Sequence, residues 1–139
     1  MSEGFIADSS VGVAWTVPSQ ASSATDNLLD AVAVGTPLVV PMLWPLEVAN
    51  ALLVLLRRKR ILAPERDRAL AALARLPLLM DEEGPRLVLG RISALAGEHG
   101  LSVYDATYLE LAVRRRLPLA SRDQAICKAA QNCRVKLLL

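Results

Sequence analysis

Short apolar runs alternate with longer segments of helical period along this chain, and this alternation limits its fold more than any other feature. The short runs are residues 4–7, 38–40, 77–80, 118–120 and 134–138. Strands that alternate with helices predict a parallel sheet covered by helices on both faces and joined by right-handed crossovers. The sequence therefore predicts a three-layer α/β/α fold with a central five-stranded, mostly parallel sheet.

The helical segments predicted between these strands are residues 9–15, 22–34, 45–60, 64–76, 85–99, 102–116 and 122–131. The segment 45–60 is apolar around most of its circumference, which predicts burial against more than one neighbour and a face that contacts another protein. Gly35 and Gly100 follow two of the helices at the position where a left-handed C-cap is common.

Length and composition exclude several classes of protein. The chain has 139 residues and a mass of 15.0 kDa, which predicts a single domain over residues 1–139. Apolar residues make up 53% and charged residues 22%, a balance that excludes a disordered or low-complexity chain. The net charge of +2 does not by itself indicate nucleic-acid binding. No apolar run is long enough to span a membrane and no secretory signal is evident, so we expect a cytoplasmic protein without membrane contact.

Cysteine and histidine offer little for catalysis or metal binding. Cys127 and Cys133 have neither the spacing of a redox motif nor that of a zinc site, so we expect two reduced thiols that pack as small apolar side chains. His99 is predicted at a helix end, as a surface or capping residue.

Four carboxylates are predicted at one edge of the sheet. Asp8 ends the first strand, Glu47 and Asp105 lie in first turns of helices, and Asp123 follows the fourth strand. Ligands of parallel sheets bind beyond the carboxyl ends of the strands. Each acid alone is explained as a helix cap or a dipole partner. Together they would repel one another in a half-buried cleft unless a cation lies between them.

Such a set of ligands favours a hard cation. Carboxylate oxygens without a nearby histidine or cysteine select Mg²⁺ or Mn²⁺ over zinc. Mg²⁺ commonly binds its substrate through phosphate oxygens. A metal-bound water can attack phosphorus, while a carboxylate orients or deprotonates that water. The pattern indicates phosphodiester hydrolysis.

Other chemistries have weaker support. The chain contains no glycine-rich dinucleotide motif and no Walker loop, which argues against nucleotide cofactors. A phospho-receiver-like domain remains a second alternative, because it shares the five-stranded plan. It would need an aspartate at the end of the third strand, and Asp81, followed by Glu82 and Glu83, is predicted in a solvated loop.

Four motifs resemble those of PIN-domain ribonucleases, and closely those of the VapC toxins of toxin–antitoxin pairs. They are Asp8-Ser9-Ser10, Glu47 with Asn50 in LEVANAL, Tyr104-Asp105-Ala106-Thr107-Tyr108, and Ser121-Arg122-Asp123. The resemblance extends over essentially the whole chain and implies a PIN-like fold.

The resemblance also implies a function and partners. It implies a Mg²⁺- or Mn²⁺-dependent endoribonuclease whose catalytic and metal-binding residues are Asp8, Glu47, Asp105 and Asp123, with Ser9, Asn50 and Ser121 orienting the ligands or the substrate. It further implies a homodimer and a VapB-like antitoxin that wraps residues 45–76 and inserts a residue near the acidic cleft. Gln124 and Ala125 stand where many relatives have a further acid, which leaves the number of metals open.

Basic residues at the rim of the cleft are candidates for RNA contact. These are Arg122, Arg57, Arg58 and Arg114. Basic residues in the last turn of a helix also interact favourably with the helix dipole and increase solubility, which is an alternative explanation for them. Tyr104, Tyr108, Trp15 and Trp44 are expected to serve core packing rather than base stacking. The chief alternative to an enzyme is a catalytically weak PIN-fold module that binds RNA or protein.

Overall fold

A computed structural model describes residues 3–139, and Met1 and Ser2 of the predicted domain lie outside this range. In this range the chain forms four strands, β1 (Phe5–Ala7), β2 (Leu38–Pro41), β3 (Leu78–Asp81) and β4 (Leu119–Ala120). The α-helices are α1 (Ser9–Thr16), α2 (Ser23–Ala33), α3 (Trp44–Arg57), α4 (Ala63–Ala74), α5 (Gly84–Leu87), α6 (Ser93–His99), α7 (Val103–Arg115) and α8 (Gln124–Asn132). Strands and helices therefore alternate much as the apolar pattern predicts.

The four strands form one parallel sheet in the order β3-β2-β1-β4. Every residue of β1, β2 and β4 is buried, which explains why these strands are continuous apolar runs. Ile6 pairs with Val39 of β2, and Ala7 pairs with Ala120 of β4. This register confirms the predicted parallel α/β fold and sets the residues that follow Ala7 and Ala120 side by side.

The predicted fifth strand is reduced to one bridge. Leu137 pairs in parallel with Leu119, the Leu119 N–H donates to the Lys136 carbonyl at 2.9 Å, and the Leu138 N–H donates to the Leu119 carbonyl at 3.1 Å. The sheet thus has four strands instead of five. Because β4 has only two residues, it offers the segment at residues 134–138 very few positions for strand pairing.

The helices form two groups around the sheet. Helices α1 to α4 pack with one another, whereas α7 packs against α6, α8 and strands β1, β2 and β4. Gly12 lets α1 approach α3 closely, because a Cβ atom there would lie 2.7 Å from the Trp44 ring and 3.0 Å from Val48. The close contact holds the start of α1 against the start of α3.

Helix α3 is buried along a single stripe of Trp44, Val48 and Leu52. The helix packs against both α1 and α4, so the prediction that it has more than one neighbour is confirmed, although part of its apolar circumference stays uncovered in this chain alone. Leu46 on another face is 72% exposed, and an apolar cavity of about 380 Å³ lies between α3, α4 and the edge strand β3. An apolar surface of this kind is available to a partner.

The predicted helix over residues 85–99 is interrupted. A π-helical turn, Val88–Ile92, separates α5 from α6, and it contains Gly90. Beyond it, Gly100 adopts a φ of 64° and ends α6 where the sequence predicts. The apolar pattern over residues 85–99 does not indicate this interruption, because the π-helical turn is a single turn within an otherwise helical segment.

Asp81 does not lie in a solvated loop. It is 1% exposed, and its carboxylate accepts two hydrogen bonds from the Arg114 guanidinium, at 3.0 and 2.7 Å, and one from Arg115 at 3.2 Å. Burial would raise the pKa of Asp81, but the hydrogen bonds from the two arginines prevail and hold that pKa at about 2. The residue therefore anchors the last turn of α7 to the end of β3.

The two cysteines, Cys127 and Cys133, do not form a disulfide in the described structure, and one of them lies beside His99. Cys127 and Cys133 are both free thiols, and both are half-buried rather than buried. The Cys133 sulfur lies 3.4 Å from the Nε2 atom of His99, the last residue of α6. Within residues 3–139 the structure contains no helix that is both long enough and apolar enough to cross a membrane.

Candidate active site

Four acidic residues lie where the strands end and the helices begin. Asp8 directly follows β1, Asp123 follows β4 as the N-cap of α8, and Glu47 and Asp105 lie in the first turns of α3 and α7. The charges of Asp105 and Asp8 both act on Glu47, and the charges of Asp123 and Asp8 both act on Asp105. The fold thus brings the four predicted acids together at the carboxyl edge of the sheet.

Asp8 is the most buried of the four and is held by two serines. It is 3% exposed, its Oδ1 atom accepts from the Ser10 hydroxyl at 2.5 Å and the Ser10 N–H at 3.1 Å, and its Oδ2 atom accepts from the Ser121 hydroxyl at 2.5 Å. Burial raises the pKa of Asp8 above 3.8, although the serine hydrogen bonds act in the opposite direction. Both carboxylate oxygens are therefore fixed in position.

Glu47 is held by a residue that is 61 positions away along the chain. The Tyr108 hydroxyl donates to Glu47 Oε1 at 2.6 Å. Burial raises the pKa of Glu47, the hydrogen bond from Tyr108 lowers it, and the charges of Asp105 and Asp8 raise it further. Burial and the neighbouring carboxylate also raise the pKa of the Tyr108 phenol, which keeps the proton that it donates.

Asp105 and Asp123 are less enclosed. Burial and the charge of Asp123 raise the pKa of Asp105, and Ser102 caps α7 by accepting from the Asp105 N–H at 3.0 Å. Asp123 is exposed, and its Oδ1 atom accepts from the Ile126 N–H at 2.9 Å. The helix-cap interpretation of Asp123 and the metal-ligand interpretation are compatible, because a carboxylate has a second oxygen.

The donor chemistry of this cluster fits a hard cation. Carboxylates that raise one another's pKa are stabilised as anions by a divalent ion between them. Cys127 is a softer potential ligand near Asp8, but burial and the charge of Asp8 raise the pKa of its thiol and favour the protonated form. As placed, no three acidic, histidine or cysteine side chains among residues 3–139 lie close enough together to hold one ion. Asp8 and Glu47 are directed at hydroxyl groups instead.

The serines and the asparagine predicted around the acids occupy different environments. Ser121 contacts Asp8, whereas the hydroxyl that contacts the other Asp8 oxygen belongs to Ser10 and not to Ser9. Ser9 lines a cavity of about 380 Å³ between α1 and α3, and Asn50 is exposed. The N-cap interpretation of Asp8 would have identified Ser10, because an N-cap side chain accepts from the second and third residues of its helix.

The predicted basic residues lie in three places. The Arg122 N–H donates to the Ser10 hydroxyl at 3.1 Å, and its exposed guanidinium donates to the Ser22 hydroxyl at 3.2 Å, so Arg122 lies beside the acids. Arg57 and Arg58 are exposed at the far end of α3, about 15 Å along the helix from Glu47. The Arg114 guanidinium is engaged with Asp81 and Glu110.

The raised carboxyl pKa values predict how stability depends on pH. Asp8, Glu47 and Asp105 bind protons more tightly in the folded state, so in metal-free buffer the free energy of unfolding should fall as pH rises above the ordinary carboxyl range of about 4. Asp81 acts oppositely, because its lowered pKa makes stability rise between about pH 2 and pH 4.

Urea denaturation between pH 3 and pH 8 in the presence of EDTA measures this profile. We expect a maximum in weakly acidic buffer and a shallower decline in the Asp8→Asn variant, which lacks one of the titrating groups. A free energy of unfolding that climbs steadily to pH 8 in the wild type would contradict the raised pKa values.

Comparison with known proteins agrees with this geometry. A family model described as PIN domain matches residues 5–132. Among solved structures, the crystal structure of PAE2754 from Pyrobaculum aerophilum is similar, with 23% identity, a TM-score of 0.69, and coverage of 91% of this chain and 78% of that chain. FitAcB from Neisseria gonorrhoeae is also similar, with 18% identity, a TM-score of 0.66, and coverage of 97% and 96%. Both likenesses concern the fold, and no curated protein matched the sequence.

Proposed function

The chain belongs to the PIN domain family, and from this premise we propose that it is a VapC-like, metal-dependent endoribonuclease that hydrolyses RNA phosphodiester bonds. PIN domains are generally nucleases that use divalent metal ions. The observation that carries the proposal is the meeting of Asp8, Glu47, Asp105 and Asp123 at one edge of the sheet, where the charges of two of the other acids act on Glu47 and the charges of two act on Asp105.

In this proposal the four acids hold Mg²⁺ or Mn²⁺. When bound, the ion would lower the pKa of its water and offset the charge that develops on the phosphate in the transition state. Asp8 is the rigid ligand, because Ser10 and Ser121 fix both of its oxygens. Glu47 and Asp105 are half-buried, and their raised pKa values suit a group that orients the attacking water or accepts its proton.

RNA is a polyanion, so it needs cations at the rim of an acidic cleft. Arg122 is the best-placed candidate, because its backbone contacts the serine that holds Asp8 while its guanidinium is exposed. A guanidinium can contact phosphate oxygens through two parallel hydrogen bonds. We propose that Arg122 binds a phosphate next to the scissile bond, and that Arg57 and Arg58 contact the strand farther away.

A protein partner is the second part of the proposal. The cavity between α3, α4 and β3, together with exposed Leu46 and Leu62, offers an apolar surface to a VapB-like antitoxin over residues 45–76. A second cavity, between α1 and α3, extends from Leu55 to Ser10, which holds Asp8, and would give an inserted antitoxin residue a route to the acids. We further propose that the protein is a homodimer and acts in the cytoplasm.

A catalytically weak PIN-fold module that binds RNA or protein is the second candidate. The observation that favours it is that no three potential ligands among the described residues lie within reach of one ion. The phospho-receiver alternative has lost its support, because the aspartate at the end of β3 is engaged by Arg114 and Arg115.

Cleavage of RNA by the purified protein tests the proposal. We expect end-labelled structured RNA to be cut in Mg²⁺ or Mn²⁺ at least about a hundredfold faster than in EDTA, because the ion supplies several kcal/mol of transition-state stabilisation. DNA of the same sequence serves as the control substrate. Equal cleavage in EDTA would contradict metal dependence, and RNA binding without cleavage in either metal would favour the binding module.

A further inference from the structure

Tyr108 differs from the other aromatic residues in what its polar atom contacts. The ring is 1% exposed in the core, while the hydroxyl reaches Glu47 Oε1 at 2.6 Å. Buried hydroxyl groups need a hydrogen-bond partner, and the partner of this one is a carboxylate of the acidic cluster. The contact also joins α7 to α3, two helices that belong to different groups in the fold.

A glutamate side chain needs such support more than an aspartate does. Glu47 has one more rotatable bond than Asp8, and it is only half-buried in the first turn of α3, so its carboxylate has more conformations available. Asp8 is fixed by two serines, whereas the Tyr108 hydroxyl is the side-chain donor to Glu47 among residues 3–139. The hydrogen bond occupies Oε1 and leaves Oε2 for another ligand.

We propose that Tyr108 is a positioning residue that holds the Glu47 carboxylate in the orientation required for binding the divalent ion. The inference rests on the proposed function, because it requires Glu47 to be a metal ligand. Groups that hydrogen-bond a ligand typically change metal affinity by about tenfold to a hundredfold when they are removed. We therefore expect Tyr108 to change the affinity for the metal ion. Because its ring is buried, Tyr108 itself does not contact RNA.

The chain provides a matched control on the same helix. Tyr104 lies one turn before Tyr108, but it is 63% exposed, and its hydroxyl makes no hydrogen bond within residues 3–139. Tyr108→Phe and Tyr104→Phe each remove one phenolic oxygen and keep the ring. A difference between the two variants therefore reports the contact with Glu47.

Isothermal titration calorimetry with Mn²⁺ measures the effect without any cleavage assay. We expect Tyr108→Phe to bind Mn²⁺ about tenfold more weakly than the wild type, and Tyr104→Phe to bind it equally well. Urea denaturation in EDTA, run in parallel, separates a loss of fold from a loss of affinity. A structural role alone would lower the stability of Tyr108→Phe and leave its Mn²⁺ affinity unchanged.

A double-mutant cycle with Glu47→Gln tests whether the effect passes through Glu47. In the Glu47→Gln background, Tyr108→Phe should cause no further loss of Mn²⁺ affinity. Additive losses, or equal affinity of Tyr108→Phe and wild type, would overturn the inference and leave the proposed nuclease intact. No Mn²⁺ binding by the folded wild type would overturn the proposed metal-dependent function and this inference with it.

Discussion

Replacing Asp8 with asparagine should slow metal-dependent RNA cleavage about a thousandfold, which corresponds to several kcal/mol of transition-state stabilisation. Asparagine has the shape of aspartate and caps helices equally well, so the hydrogen bond from the Ser10 N–H can persist. The change removes the negative charge of the most buried acid. Single-turnover cleavage of labelled RNA in Mn²⁺ measures the rate.

The same substitution should leave the protein folded. Burial raises the pKa of Asp8 despite its serine hydrogen bonds, which means that the site favours a neutral group when no cation is present. In EDTA at pH 7 the free energy of unfolding of Asp8→Asn should therefore equal or exceed that of the wild type, and we expect the same of Asp105→Asn.

Asp67→Asn is the matched control for the cleavage assay, because Asp67 is an exposed acid on α4. It should cleave at the wild-type rate. If the wild type, Asp8→Asn and Asp105→Asn cleave equally, the activity belongs to a contaminating nuclease and the enzymatic proposal is withdrawn. If Asp8→Asn fails to fold, Asp105→Asn carries the test, because that carboxylate does not cap a helix.

Replacing Asp81 with asparagine should lower the free energy of unfolding by about 2 to 3 kcal/mol at pH 7. The pKa of about 2 shows that the folded protein prefers the charged carboxylate over a neutral group of the same shape. Among residues 3–139, its loss leaves Arg115 without a carboxylate partner and leaves Arg114 with Glu110 alone. Urea denaturation at pH 7 measures the change.

A nearby surface ion pair is the control for Asp81. Arg86 and Glu83 are joined at 2.5 Å, but their side chains are 72% and 54% exposed. Because exposed pairs contribute little, Glu83→Gln should change stability by less than about 0.5 kcal/mol. The Asp81→Asn effect should also shrink as pH falls from about 4 to 2, where the wild-type carboxylate takes up its proton. Equal small effects at Asp81 and Glu83 would refute the structural role of the buried pair.

The positions of the four acids could be predicted because each depends on a local signal. Asp8 follows a short apolar run, and Glu47, Asp105 and Asp123 lie at helix starts that a proline, a capping serine or a preceding strand indicates. Once strands and helices alternate, the rule for parallel sheets assigns these positions to one edge without any knowledge of the packing.

The two wrong predictions, for Asp81 and for the fifth strand, concern features that depend on residues far apart along the chain. Asp81 looked solvated because two glutamates follow it, yet its partners Arg114 and Arg115 lie more than thirty positions away along the chain. The fifth strand was predicted from an apolar run, but strand pairing depends on the length of the neighbour, and β4 has two residues. Apolar periodicity contains neither kind of information.

The amino-acid sequence by itself determined the order of strands and helices, the parallel sheet and the edge at which the acids gather, because apolar period and helix-end chemistry act over a few neighbouring residues. Only the tertiary structure decided which hydroxyl groups from distant parts of the chain hold these carboxylates. Ser121 reaches Asp8 across 113 positions, and Tyr108 reaches Glu47 across 61. Hydrogen bonds of this kind form where packing brings two groups within about 3 Å, and that distance is a property of the folded chain.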